Sequence, residues 1–284
     1  MKNSFKLNNY INKKIFLVFF TIIIVFFINN NAYAEKGNIL IIVSSKDKVI
    51  LKNKKTKQAG LYLNQISLIS EYIKKANFKA TIASPEGNNI KIDPISNNIK
   101  FFSNTSQYNN SKIFFDKYLK DKKTIKIKNI MNSLNDYSGL IILGGSNAIE
   151  DLPTNNDLGT VINFFYESKK PIGAVAEGVI GLVSSMKKAE NFINSVKKDN
   201  INFAINYSSG WIFTSYNMTL PSEEETLASM KDTPYIPYKA LKYTRVFLST
   251  NKYNPYVVID KNLITAQNNK SIDKFNSYFM SKLK

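Results

Sequence analysis

The chain has 284 residues, 39 Lys and Arg against 21 Asp and Glu, and a formal net charge of +18, with no cysteine and no histidine. Thiol nucleophiles, disulfides, thiolate–metal sites and a histidine base working near neutral pH are thereby excluded. The lysines are scattered among asparagines without a recognisable nucleic-acid module, so specific nucleic-acid binding is not expected; they read first as solvated surface, with weak binding to anionic surfaces as the alternative.

Lys2, Lys6, Lys13 and Lys14 precede an uninterrupted apolar stretch at 15–28, and Ala32-Tyr33-Ala34 supplies the small-x-small pattern of a cleavage site. This predicts a secretory signal peptide over 1–34, cleaved after Ala34, and hence an exported protein, periplasmic or secreted. The apolar stretch falls short of the about 20 residues of a bilayer span, and an uncleaved anchor is the alternative. Residues 35–284 then suit one α/β domain large enough to bury a core.

Residues 39–43 form a short continuous apolar run that reads as a buried first strand. After a polar, lysine-rich segment at 46–58, Tyr62, Ile66, Ile69, Ile73 and Ala76 recur at three- and four-residue spacing, which predicts a helix with one apolar face. A second strand follows at 78–83, closed by a turn at Ser84-Pro85-Glu86-Gly87. Residues 88–136 read as a surface excursion with some helix, anchored by aromatics such as Phe101, Phe102 and Phe114. The next buried strand is 137–143, ending in Gly144-Gly145; 155–168 is an amphipathic helix. Residues 171–176 climb another buried strand and turn sharply into a helix at 178–186. Downstream, 211–214 reads as a strand. Ser222 caps a helix over 221–230 with three glutamates in its first turn, where they suit the helix dipole and need no catalytic role. Residues 256–259 and 263–265 bracket a hairpin turn, and 271–283 closes the chain as an amphipathic helix. Alternating strands and helices predict a largely parallel sheet covered on both faces, with ligands at the carboxyl ends of its strands.

Several segments in register resemble the DJ-1/PfpI superfamily, the class I glutamine amidotransferase-like fold, and within it the Hsp31-like glyoxalase and chaperone branch. The likeness runs through 39–45, through Ala59-Gly60-Leu61-Tyr62-Leu63-Asn64-Gln65, and through Ala83-Ser84-Pro85-Glu86-Gly87 with Asp93-Pro94. It continues through 137–145 with Asp151-Leu152-Pro153, through Ala174-Val175-Ala176-Glu177-Gly178, and through Asp260-Lys261-Asn262-Leu263-Ile264-Thr265-Ala266-Gln267-Asn268. The resemblance implies a flavodoxin-like three-layer sandwich and a pocket where the elbow at Ala176 meets the first helix. Relatives acting as glyoxalase III or hydrolases use an elbow cysteine, a neighbouring histidine and a helix glutamate; those positions are here Ala176, Glu177 and Gln65. All three reactive side chains are replaced, and Ser146 and Asn147 follow Gly144-Gly145 where the superfamily has His-Gly.

The expected pocket therefore centres on Gln65, Gly145, Ser146, Ala176 and Glu177, with no catalytic residue, metal or cofactor assigned. Glu177 could act as a base if buried; the plainer reading has its carboxylate satisfied by Gln65 or by backbone N–H groups at the helix start. Ser146, Ser184 and Ser185 are the nearest hydroxyl nucleophiles, but no activating base accompanies them. Glu150, Asp151 and Glu177 offer only hard-ion ligands. Three functions stay open: a pseudoenzyme with a binding or chaperone-like role toward a small ligand or protein partner, an enzyme using Glu177 as acid/base, and a basic envelope-surface binder. Relatives often dimerise, so a homodimer is a further expectation.

Overall fold

The computed structural model describes residues 35–283; the expected leader and its cleavage point lie outside the described residues. Ile39, Leu40, Ile41 and Ile42 are wholly buried and form strand β1 (Asn38–Ile42). The lysine-rich segment that follows carries a small antiparallel hairpin, β2 (Lys48–Ile50) and β3 (Thr56–Gln58). Only Val49 of that hairpin turns inward, so there was no alternation for the sequence pattern to display. Helix α1 (Leu63–Lys75) buries Ile66, Ile69 and Ile73, and β4 (Lys79–Ser84) completes the first β-α-β unit.

The excursion contains helix α2 (Thr105–Tyr118), whose Asn104 cap accepts from the Gln107 N–H at 2.9 Å, and a short edge strand β5 (Ile125–Lys126). Then come β6 (Tyr137–Gly144), α3 (Ala148–Asp151), α4 (Asn156–Glu167) and β7 (Ile172–Ala176). The expected helix after β7 is a 3-10 run over Glu177–Ser185. It lies so close to α4 that a Cβ on Gly159 would fall 2.2 Å from the Ser184 carbonyl oxygen. Helices α5 (Ala189–Lys197) and α6 (Ile201–Tyr207) occupy a lysine- and asparagine-rich stretch.

The expected strand at 211–214 is a turn, with the Thr214 N–H bonded to the Trp211 carbonyl at 2.9 Å. Its aromatics pack among themselves instead of pairing in a sheet: the Trp211–Phe213 and Phe213–Tyr216 ring centroids lie 5.4 and 5.3 Å apart, edge to face. The Trp211 indole also donates to the Ser185 hydroxyl at 2.8 Å. The remaining elements are β8 (Asn217–Met218), α7 (Glu223–Met230), α8 (Pro237–Lys242), β9 (Phe247–Leu248), β10 (Val257–Asp260), β11 (Leu263–Ala266) and α9 (Ile272–Ser281).

Seven strands form the central sheet in the order β10-β11-β7-β6-β1-β4-β5, all parallel except for β10, which runs antiparallel to β11. Successive side chains alternate between its faces. Leu40, Ile42, Leu140, Ile142 and Ala174 pack with Val161, Ile162 and Phe165 of α4. Ile39, Ile41, Ile141, Leu143 and Val175 pack on the other face with Ile66, Ile69 and Ile73 of α1 and Phe275 and Phe279 of α9. The result is an α/β sandwich with helices on both sides of a mostly parallel sheet. Burial of both faces explains why its strands read as continuous apolar runs.

Candidate functional site

The carboxyl ends of β6 and β7 meet where Gly144 pairs with Ala176. Ala176 has φ 51° and ψ −130°, a conformation that L-residues avoid and that persists only where the surroundings over-determine it. Glycines at the end of β6 and just after β7 supply that constraint. A Cβ on Gly144 would lie 2.6 Å from the Gly178 nitrogen, and one on Gly178 would lie 2.6 Å from the Ile142 carbonyl oxygen. The two backbones therefore touch, and the chain leaving β7 must bend at Ala176.

Gly145 extends this close packing toward the entry of α1. A Cβ there would stand 2.2 Å from the Gly60 carbonyl oxygen and 3.4 Å from the Tyr62 ring. Gln65, in the first turn of α1, is wholly buried. Its amide nitrogen donates to the Gly144 carbonyl at 3.1 Å and to Asn269 Oδ1 at 2.9 Å, while its Oε1 has no partner. Of the two partners expected for Glu177, Gln65 is not one: its amide hydrogens go to carbonyl oxygens, bridging α1 to β6 and to the segment after β11, and the Glu177 carboxyl is met by a backbone N–H at the start of the 3-10 run, its own. Ser146 is half-buried beside Gly145.

Glu177 is 8% exposed. Burial pushes its carboxyl up to about 7; a hydrogen bond from its own backbone N–H opposes this, and the charges of Glu225 and Asp93 add to it. Tyr62, also held above its ordinary value by burial, feels the Glu177 and Asp93 charges as well, so these groups share one neighbourhood. A carboxyl near 7 is poised to exchange a proton around neutral pH.

The other candidates are engaged in local structure. The Ser184 and Ser185 hydroxyls each donate to a carbonyl three residues back, at 2.8 Å. Glu150 accepts from the Ile50 N–H at 2.9 Å. Asp151 accepts from the Ser44 hydroxyl at 2.6 Å and the Ser45 N–H at 2.8 Å, tying α3 to the end of β1, and burial raises its carboxyl to about 6 against those bonds.

Two further residues meet at this site. Asn269 is 204 residues from Gln65, and no local pattern marks it. Glu225 closes the capping box of α7 with Ser222, a signal visible in the sequence. It also accepts from Gln267 Nε2 at 2.7 Å, Asn268 Nδ2 at 2.9 Å and the Tyr253 N–H at 3.0 Å, which no local signal announces. Both residues line a cavity of about 610 Å³, whose apolar wall includes Phe101, Phe102, Tyr253 and Ile272. None of the five residues expected to centre the pocket lines this cavity; Asn269 links it to Gln65.

A mostly parallel α/β sandwich, bent at a strained elbow at the carboxyl end of an inner strand, is a fold of the class I glutamine amidotransferase-like type. Sequence comparison agrees: the human glutamine amidotransferase-like class 1 domain-containing protein 1 is 27% identical over 135 residues, 46% of this chain and 53% of that protein. The chain spans about half the length of the curated relatives it matches. No family profile matches it.

Among solved structures, glyoxalase III from Candida albicans superposes with a TM-score of 0.66 at 14% identity, covering 88% of this chain and 98% of that one. The 24 kDa Rapid Encystment Protein of Francisella tularensis gives 0.65 at 22%, covering 87% and 99%. A ThiJ/PfpI domain protein from Brachyspira murdochii gives 0.51 at 12%, covering 87% and 95%. The fold is that of the DJ-1/ThiJ/PfpI superfamily, and the resemblance carried by the motifs holds at that level.

Proposed function

We propose that this is an exported DJ-1/PfpI-like protein that has lost the superfamily's thiol chemistry and serves in binding, as a ligand-binding, partner-binding or chaperone-like module. Ala176 carries this reading: it keeps the strained elbow, worth about 1–3 kcal/mol, yet ends in a methyl group, in a chain without cysteine or histidine. A methyl group can neither attack a carbonyl nor move a proton. The binding site of this reading centres on Gln65, Gly145, Ser146, Ala176 and Glu177; Asn269, hydrogen-bonded to Gln65, lines the neighbouring 610 Å³ cavity, whose size suits a small ligand.

The test is methylglyoxal consumption by the chain purified without its leader, chosen because a structural neighbour is a glyoxalase III. No consumption above a heat-inactivated control is expected. Consumption that disappears in Glu177→Gln would favour the second reading, carboxylate acid/base catalysis, for which the Glu177 carboxyl near 7 is the specific support. Export has its own expected result: intact-mass and N-terminal analysis of protein recovered from the cell envelope or medium should find Glu35 as the first residue. A retained Met1 in that fraction would replace the cleaved leader by an anchor.

A further inference from the structure

At the end of the sheet opposite the elbow, before the amino ends of β7 and β11, a second cavity of about 550 Å³ is walled by residues from four segments. Tyr166 and Glu167 close α4, and Lys169 and Pro171 lead into β7. Lys261 belongs to the β10–β11 turn, and Lys282 follows α9; Tyr216 completes the aromatic side. Lys261 adopts φ 56°, and its ammonium sits 4.2 Å from the centroid of the Tyr216 ring. The neighbouring Lys170 is spent elsewhere, donating to the carbonyls of Asn135 at 3.0 Å and Tyr137 at 2.7 Å. Lys169, Lys261 and Lys282, by contrast, join no ion pair among the described residues. Three lysines therefore line one concavity with a single acidic residue, Glu167. Low-dielectric walls focus the field of such a cluster and concentrate counter-ions within it, and an arriving anion relieves the mutual repulsion of the lysines.

We propose that this cavity binds a small amphipathic anion: an apolar or aromatic body against the half-buried Tyr166 and the lysine methylene stems, and a carboxylate, sulfonate or phosphate head among Lys169, Lys261 and Lys282. The volume lies within the ordinary range for small-molecule sites. Cationic rim and apolar wall together select an anion with a hydrophobic body over a bare inorganic anion, which gains nothing from the wall. The site is separate from the elbow, and the proposal stands whether or not the elbow binds anything.

Calorimetric titration of 1-naphthalenesulfonate into the chain purified without its leader tests it. A single saturable site is expected, weaker at high salt and roughly tenfold weaker in Lys169→Gln/Lys261→Gln/Lys282→Gln. All three lysines are exposed, so the triple variant should keep its circular dichroism spectrum and urea midpoint; Lys261→Arg should retain binding. Inorganic phosphate should bind more weakly than the naphthalenesulfonate. Absence of saturable binding, or equal affinity in the triple variant, would overturn the proposal. Binding to phosphatidylglycerol vesicles with no uptake of the naphthalenesulfonate would also overturn it, in favour of a membrane-facing role for these lysines.

Discussion

Glu177→Gln is expected to leave stability nearly unchanged at pH 4 and to raise it by up to about 3 kcal/mol at pH 8. The carboxyl has an ordinary value of 4.5, and burial holds it at about 7 in the folded chain. A raised carboxyl binds its proton more tightly in the native state. Its contribution is therefore complete below about 4.5 and is lost as pH rises from there through about 7, where folding has to accommodate a buried charge. The amide has no such charge and is free of that loss. Asp151, raised from 3.8 to about 6 by burial, also erodes stability as pH rises, but it does so in both proteins and cancels in the difference. Urea unfolding of the two chains across pH 4–8 measures the effect. Parallel stability curves would show that Glu177 is solvated or paired well enough to ionise normally in the folded chain, and would remove the main support for its use as an acid/base.

Gly178→Ala is expected to cost about 2–3 kcal/mol, because the added methyl would sit 2.6 Å from the Ile142 carbonyl oxygen and 3.0 Å from the Gly144 nitrogen. Neither atom belongs to a flexible side chain, so relief requires β6 and the turn after β7 to separate. Gly181→Ala is the internal comparison. It lies in the same 3-10 run, but its methyl would first meet Ile142 Cγ2, at 3.1 Å, and a side chain can give way. A change within about 1 kcal/mol is expected there, the lower unfolded-state entropy of alanine partly offsetting the contact. Equal urea midpoints for the two variants would mean that the elbow tolerates separation of its strands and that the bend at Ala176 is not imposed by the glycine contact.

These expectations rest on different kinds of information. The core strands were readable from sequence because a parallel sheet buried on both faces demands uninterrupted apolar runs, as in Ile39–Ile42 and Leu140–Leu143. The first helix was readable because one buried face repeats at helical spacing. The hairpin at Lys48–Gln58 was not, since a single inward residue makes no pattern. Helices α5 and α6 lay in a stretch whose charged and amide side chains drew attention to its surface. The turn at Trp211 misled because aromatic residues favour strands locally, whereas here their rings satisfy one another and an indole–hydroxyl bond to Ser185.

The sequence by itself determined the chemistry this protein lacks: composition is independent of folding, and no arrangement of the chain can create a thiol or an imidazole. It also carried the motifs that resemble the DJ-1/PfpI superfamily, which are local strings set by backbone demands at turns and strand ends. Only the tertiary structure decided that Gln65 is held by the Gly144 carbonyl and Asn269, that Glu177 is buried and its carboxyl raised, and that Lys169, Lys261 and Lys282 line one cavity. Hydrogen-bond partners, desolvation and converging charge depend on distances through space, and the residues concerned come from segments that only the packed sheet brings together.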